Sequence, residues 1–297
     1  MKIIVFGSFN IDKVYSLPYL PERGETLYCQ KYEVHVGGKG VNQALAFRKA
    51  GAEVIAAGRV GEDGDYLTDW LKANDVNASF VEHGEGYTGH TIIEVAPDGQ
   101  NQMILFGGAN LGITPEYCDR LLDAHRDAEL VMMQYETSCV EYMLEASKKA
   151  GIPTALNPSP YTEKLKELPY DMVDYLILNE SEGKNITGKN DPSDVIDSLL
   201  KLCGGKVILT LGDKGSIYSS GDISVSVPAF SVNAVDTTGA GDTFTGYCLY
   251  ELLCGASPET ALKKASAASA IEVTRPGAAE TIPSADEVDE FLSRREK

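Results

Sequence analysis

Two aspartates bracket a run of small residues in Asp236-Thr-Thr-Gly-Ala-Gly-Asp242, and an apolar stretch with helical spacing follows as far as Leu253. The first amides of such a helix lack internal partners, and the macrodipole adds positive potential there. Gly239, Ala240 and Gly241 carry no bulk that would keep a phosphate from that backbone, so the turn reads as an anion cradle. A carboxylate beside such a cradle repels a resting phosphate. Asp242 therefore has two readings: a base for a hydroxyl that attacks phosphorus, or a helix N-cap. The stretch by itself leaves both open.

A second glycine cluster, Gly37-Gly-Lys-Gly40, opens a helical pattern over 41–50 that Gly51 stops. Lys39 and Asn42 then sit on a first turn, where they could serve an anionic or polyhydroxy ligand or simply face solvent. Asn10 and Asp12 follow the apolar run 2–6, which has the pattern of a buried parallel strand. Carboxyl ends of strands are where open α/β sheets hold ligands, although plain turn chemistry also accounts for two polar residues there. Gly84-Glu-Gly-Tyr-Thr-Gly89 matches the dinucleotide pattern but leads into a strand rather than a helix. With no P-loop pattern either, both of those nucleotide folds are set aside. His35, His83, His90 and His125 show no paired ligand spacing.

The chain has 297 residues, 43% hydrophobic and 24% charged, a length and composition that can bury a sizeable α/β core. Forty-four acidic against 26 basic residues give a net charge of −18. Such a chain is a poor general binder of nucleic acid or anionic membrane. Any bound phosphate must then be handled by local backbone dipoles, a few Lys or Arg, and Mg²⁺. The six cysteines have no C-x-x-C or metal-ligand spacing and read as reduced thiols. No signal peptide and no apolar run of membrane-spanning length is found. The expected compartment is the cytoplasm, where the sequons at Asn77, Asn179 and Asn185 carry no meaning.

The elements that must position these residues alternate in α/β fashion. Helices are expected over 115–124, 138–150, 192–202, 243–253, 258–272 and 284–294, and strands over 128–133, 153–156, 175–178 and 206–211. Polar residues Glu136, Asn157, Asn179 and Thr210 follow strands repeatedly. The expected fold is a doubly wound, mostly parallel central sheet flanked by helices. Residues 14–36 and 88–106 break the pattern with Pro, Gly and alternating runs, which predicts a small β-sheet lid inserted into a single domain spanning 1–297.

Taken together, the segments resemble the ribokinase-like carbohydrate kinases. Nine pieces recur in family order over essentially the whole chain: Gly7-Ser-Phe-Asn-Ile-Asp12, Gly37-Gly-Lys-Gly-Val-Asn-Gln43, Gly107-Gly-Ala-Asn110, Met133-Gln-Tyr-Glu136, Asn157-Pro-Ser-Pro160, Asn179-Glu180, Thr210-Leu-Gly-Asp-Lys-Gly215, Val235 to Phe244 and Val273-Thr-Arg-Pro-Gly-Ala278. The resemblance implies transfer of the ATP γ-phosphoryl group to the 5-hydroxyl of D-ribose, with Asp242 as base and the Gly239, Ala240 and Gly241 amides as anion hole. It implies sugar contacts from Asn10, Asp12, Gly38, Lys39, Asn42, Glu136 and Asp242. Nucleotide contacts would come from Asn179, Thr210, Gly212, Lys214, Gly215, Gly241 and Ser266, with Glu180 near Mg²⁺. A K⁺ site is implied at Asp236, Thr238, Glu272, Arg275, Gly277 and Thr281.

The same resemblance implies lid insertions at 13–36 and 88–107 that pair between two copies as a homodimer. His90 and Thr91 stand where smaller or apolar lid residues are usual near the sugar, and Ser266 where His or Asn commonly approaches adenine. The first departure keeps other acceptors open: another pentose, deoxyribose, a ketohexose or a nucleoside. A catalytically silent sugar binder and an NAD-linked oxidoreductase are the readings from other classes. The intact cradle beside Asp242 argues against the former, and the missing strand–glycine–helix context against the latter.

Overall fold

The computed structural model describes residues 1–295. Its first strand, β1 (Lys2–Phe6), alternates side chains between two cores, Ile3 and Val5 on one face and Ile4 and Phe6 on the other. From β1 the chain runs into β2 (Asn10–Ser16), β3 (Lys31–Gly37), α1 (Lys39–Ala50), β4 (Glu53–Val60), α2 (Asp65–Ala73) and β5 (Asn77–His83). Then come β6 (Gly89–Val95), β7 (Asn101–Phe106), α3 (Pro115–Ala124), β8 (Leu130–Gln134), α4 (Val140–Ala150) and β9 (Thr154–Asn157). The remainder is β10 (Tyr175–Asn179), α5 (Glu180–Thr187), α6 (Pro192–Leu202), β11 (Lys206–Thr210), β12 (Ser216–Ser219), β13 (Ser224–Val227), α7 (Ala240–Leu253), α8 (Pro258–Glu272) and α9 (Ala285–Arg295).

Nine strands form one sheet in the order β13-β12-β11-β10-β9-β8-β1-β4-β5, parallel from β5 through β11 and antiparallel beyond. From β1 the order grows outward first through β4 and β5, then on the opposite side from β8. The direction therefore reverses between β1 and β8, and a crevice opens past their carboxyl ends. One core layer packs α1, α2, α7, α8 and α9 on the sheet; the other packs α3, α4 and α6. The expected doubly wound α/β fold is present.

Four strands form a smaller, separate sheet in the order β3-β2-β6-β7, with β2 and β6 parallel to each other. Asn10 and Asp12 lie within β2, so they are strand residues rather than the turn residues that their position after β1 predicts. Residues 53–83, for which no element is named above, form β4, α2 and β5. Among the described residues no helix is long and apolar enough to cross a membrane.

Helices α1 and α7 meet closely. A Cβ placed on Gly246 would lie 2.4 Å from the Ala46 Cβ and 2.8 Å from the Phe47 amide nitrogen. One turn earlier on α7 is Asp242, and one turn earlier on α1 are Asn42 and Gln43, so the small pair at the crossing brings these three side chains together. Gly246→Ala should therefore destabilise the protein by about 1–3 kcal/mol through overpacking, more than the roughly 1 kcal/mol that alanine gains in a helix. Urea denaturation measures this, and a variant as stable as the parent would show that the crossing can widen without cost.

Candidate active site

Strand ends bring the polar residues to one edge. Ser8 follows β1, Glu136 follows β8, Asn157 ends β9, and Asn179 and Thr210 pair at the ends of β10 and β11. The glycines before α1 are demanded by contact. Gly38 has φ 91°, and a Cβ there would lie 2.7 Å from the Ser8 carbonyl oxygen. Gly40 is as tight, 2.5 Å from that oxygen. The start of α1 is thereby pressed onto the β1–β2 turn, with no side chain capping it.

Asp242 is 5% exposed and lies inside the first turn of α7, whose N-cap is Gly239 with φ 83°. The N-cap reading of Asp242 is thus excluded. Its carboxylate accepts instead from α1: Asn42 Nδ2 at 3.0 Å on Oδ2 and Gln43 Nε2 at 2.8 Å on Oδ1. Lys39 Nζ stands 3.9 Å from Oδ1. That carboxylate holds the half-buried Lys39 ammonium above the usual lysine range, against the effect of burial.

Beside this pair lies a carboxylate cluster. Glu136 accepts from the Ser8 hydroxyl and from the Lys39 amide, the latter at 3.5 Å, while burial pushes its carboxyl upward against the pull of Lys39. Asp12 is raised to about 6, first by burial, with Glu136 adding and the neighbouring Thr91 hydroxyl opposing. Asn10 Oδ1 accepts from Asn110 Nδ2 at 2.8 Å. Asp12 Oδ1 and Asn42 Oδ1 are buried without any partner. Asn10, Asp12, Gly38, Lys39, Asn42, Glu136 and Asp242 therefore converge on one polar corner. Thr91 pairs with Asp12 across β2 and β6, whereas His90 pairs with Ile11 on the opposite face and meets the Phe106 ring at a tilt of 38°, with 4.9 Å between centroids.

The far side of the α7 start opens on a cleft of about 560 Å³, lined by Thr210, Gly212, Gly215, Ala240, Gly241 and Ser266 among others, with Phe230, Val232 and Phe244 as apolar wall. The Gly239 and Gly241 amides have no protein partner among the described residues, while the Ala240 amide turns back to the Thr237 carbonyl at 3.3 Å. Two of the three expected donors are thus free. Ser269 Oγ donates to the Ala240 carbonyl at 2.8 Å and Thr245 Oγ1 to that of Gly241 at 2.7 Å, which anchors the turn from behind. Asn179, Glu180 and Lys214 do not line the cleft. Asn179 caps α5, accepting from the Glu182 amide at 2.9 Å, and Lys214 Nζ lies 3.6 Å from Glu180 Oε1.

The remaining predicted residues gather behind the cradle. Asp236 accepts from the Thr238 amide at 2.9 Å and the Gly277 amide at 3.1 Å. Thr281 donates to the Ala278 carbonyl at 2.7 Å. The Arg275 guanidinium donates to the Thr281 carbonyl at 3.2 Å and to Glu287 at 2.5 Å, while its amide reaches the Glu272 carbonyl at 2.9 Å. Glu272 is fully buried, and neither carboxylate oxygen has a hydrogen-bond partner. Burial pushes its carboxyl to about 8, with the nearby Thr243 hydroxyl opposing and the charges of Asp242 and Asp236 adding. Gly239 makes room for it, since a Cβ there would lie 2.8 Å from Glu272 Oε1. Among the described residues no three His, Cys, Asp or Glu side chains converge as a metal site. The pattern reading passed over Gln43, Gln134 and Ser269; a glutamine inside the apolar stretch 41–47 is the signal that could have found the first.

A family model for pfkB family carbohydrate kinases matches residues 1–285. The deoxyribokinase of Salmonella typhi is 33% identical, with 100% of both chains covered. The ribokinase of Bacillus subtilis is 35% identical over 98% of this chain and 99% of its own length. The Arabidopsis thaliana ribokinase, in a structure complexed with ribose and ATP, superposes with a TM-score of 0.88 at 30% identity, covering 98% of each chain.

Glu272 gives the site a signature that is readable without substrate. Its carboxyl sits near 4.5 when the chain is unfolded and about 8 when folded. The neutral acid therefore contributes its stability fully below the unfolded value, and that contribution is lost as pH rises toward 8. In buffer free of alkali cations, the urea midpoint should fall between about pH 5 and 8 in the parent and stay flatter in Glu272→Gln. Parallel curves would show that this carboxyl ionises without cost.

Proposed function

The chain belongs to the pfkB family of carbohydrate kinases, phosphotransferases acting on sugars, and from that premise we propose that it transfers the γ-phosphoryl group of ATP to the 5-hydroxyl of D-ribose. The observation that carries this reading is the position of Asp242. It lies at a helix start, with a polar, carboxylate-rich corner on one side and a cleft lined by Ala240 and Gly241 on the other, and the Gly239 and Gly241 amides of that turn have no protein partner among the described residues. Sugar lies in the corner and nucleotide in the cleft. Asp242 accepts the hydroxyl proton as the phosphoryl group arrives, and the Gly239 and Gly241 amides with the helix dipole take up the charge that develops.

The orphaned Asp12 and Asn42 oxygens ask for hydroxyl donors. A sugar with its full set of ring hydroxyls satisfies both, while an acceptor lacking one donor leaves a buried group unpaired at about 1–3 kcal/mol. That favours ribose over deoxyribose, even though relatives of both activities match the whole chain. Thr210, Gly212, Gly215 and Ser266 would contact ATP within the cleft, and Asn179 and Lys214 at its margin.

Glu272, with two buried acceptors free, fits a monovalent cation of K⁺ type, held with Asp236, Thr238, Arg275, Gly277 and Thr281 as further candidates, several through carbonyl oxygens. Such an ion supplies positive charge behind the anion hole. Among the described residues no three acidic, His or Cys side chains converge at Glu180, so Mg²⁺ near it would keep mostly water and phosphate oxygens as ligands. The smaller sheet acts as the lid. Val34, Ile104 and Phe106 are among its exposed apolar residues and supply a face for a second copy. Six free cysteines fit the cytoplasm.

A coupled assay of ADP release across ribose, deoxyribose, other pentoses, ketohexoses and nucleosides tests the acceptor. Ribose should give the highest kcat/KM, and turnover of another sugar with ribose inert would replace it. Asp242→Asn should lower kcat by about 10²–10⁴-fold with the sugar KM little changed. Near-parental turnover would remove Asp242 from the role of base.

A further inference from the structure

Asp242 has two amide donors, and one of them belongs to a chain of side chains that crosses beneath the site. Gln43 is fully buried on α1 and lines no part of the nucleotide cleft. Its Nε2 donates to Asp242 Oδ1 at 2.8 Å and reaches Asn157 Oδ1 at 3.4 Å, while its Oε1 accepts from Gln134 Nε2 at 2.6 Å. Asn157 Nδ2 donates to the Ile177 carbonyl at 3.0 Å. Gln134 is itself fully buried, and Gly7 gives it room, since a Cβ there would lie 1.9 Å from Gln134 Oε1.

The ends of this chain decide which way each amide faces. A main-chain carbonyl and an ionised carboxylate only accept hydrogen bonds. The Ile177 carbonyl therefore draws the Asn157 NH₂ and leaves the Asn157 oxygen toward Gln43. Asp242 takes one Gln43 hydrogen, Asn157 takes the other, and Gln134 occupies the Gln43 oxygen. Turning the Gln43 amide over would set oxygen against carboxylate and NH₂ against NH₂, two repulsions in a low-dielectric interior. Asn42 differs, because its own oxygen is left free on the sugar side.

We infer that Gln43, locked by Gln134 and Asn157, is a positioning residue that fixes the carboxylate of Asp242 for proton transfer, an inference that rests on the base role proposed above. Gln43 touches neither substrate. Its loss should therefore appear in turnover and not in binding.

The test compares the parent with Asp242→Asn, Gln43→Met, the double variant and Gln134→Met, using single-turnover and steady-state kinetics with ATP and the best sugar of the panel. Methionine keeps the side-chain volume roughly constant. Gln43→Met should lose about 10- to 100-fold in kcat, the loss expected for one hydrogen bond to a charged group. KM for both substrates should hold within about twofold. In the Asp242→Asn background the same change should cost nothing further, because nothing is left to orient; a purely structural role would instead add its full loss. If thermal melting shows that Gln43→Met does not fold, Gln134→Met carries the test, with a smaller kcat loss, unchanged KM and the same non-additivity with Asp242→Asn. Parental kcat in a folded Gln43→Met, or full additivity, overturns the inference alone. A near-parental Asp242→Asn overturns the base role and takes this inference with it.

Discussion

Helix α1 and helix α7 touch at Ala46 and Gly246, and almost everything chemical in this protein follows from that contact. A larger residue at either position would hold the helices apart. With them together, a carboxylate from one meets two amides and an ammonium from the other, and a buried negative charge becomes tolerable because it is hydrogen-bonded and paired. The residues that meet are more than 190 positions apart in sequence, 42 and 43 against 242. Only the wrapping of the sheet, with α1 and α7 in the same layer, makes them neighbours.

The electrostatics around the start of α7 oppose one another in a useful way. An acidic chain has gathered Asp12, Glu136, Asp242, Asp236 and Glu272 around one turn. Burial answers part of this by raising Asp12, Glu136 and Glu272 toward their neutral forms, which lowers the repulsion among the carboxylates themselves. Backbone amides and Lys39 answer another part. A single lysine deep in the site is enough because the main chain contributes positive ends without adding a mobile ion.

Much of the fold was legible because buried parallel strands announce themselves as apolar runs closed by polar residues, as in 128–133 and 206–211. The unit from β4 to β5 was not, since its first strand is rich in Ala and Gly and lacks the bulk that marks a core strand. The candidate site divided along a similar line. Glycine clusters and their flanking charges, Lys39 and Asp242, are local patterns and could be read directly. Three things needed the coordinates: the Ala240 amide folded back onto Thr237, the capping of α5 by Asn179, and the placing of His90 on the far face from Asp12. Each depends on which way a group points, and neither residue type nor spacing records that. Gln43 shows the limit most clearly, because its partners come from β8, β9 and α7 at once.

The root of the smaller sheet has a mechanical meaning. Strand β2 begins at Asn10, four residues after β1 ends at Phe6, and Phe9 between them is fully buried with its amide and carbonyl both held by Asn110. Asn110 also grips Asn10. No free joint remains at that point for the sheet to pivot on, and Asn10 and Asp12 are part of the sheet itself. Strand β2 is thus tied to the body of the protein at its first residue, a keel on which β3 and β6 are laid.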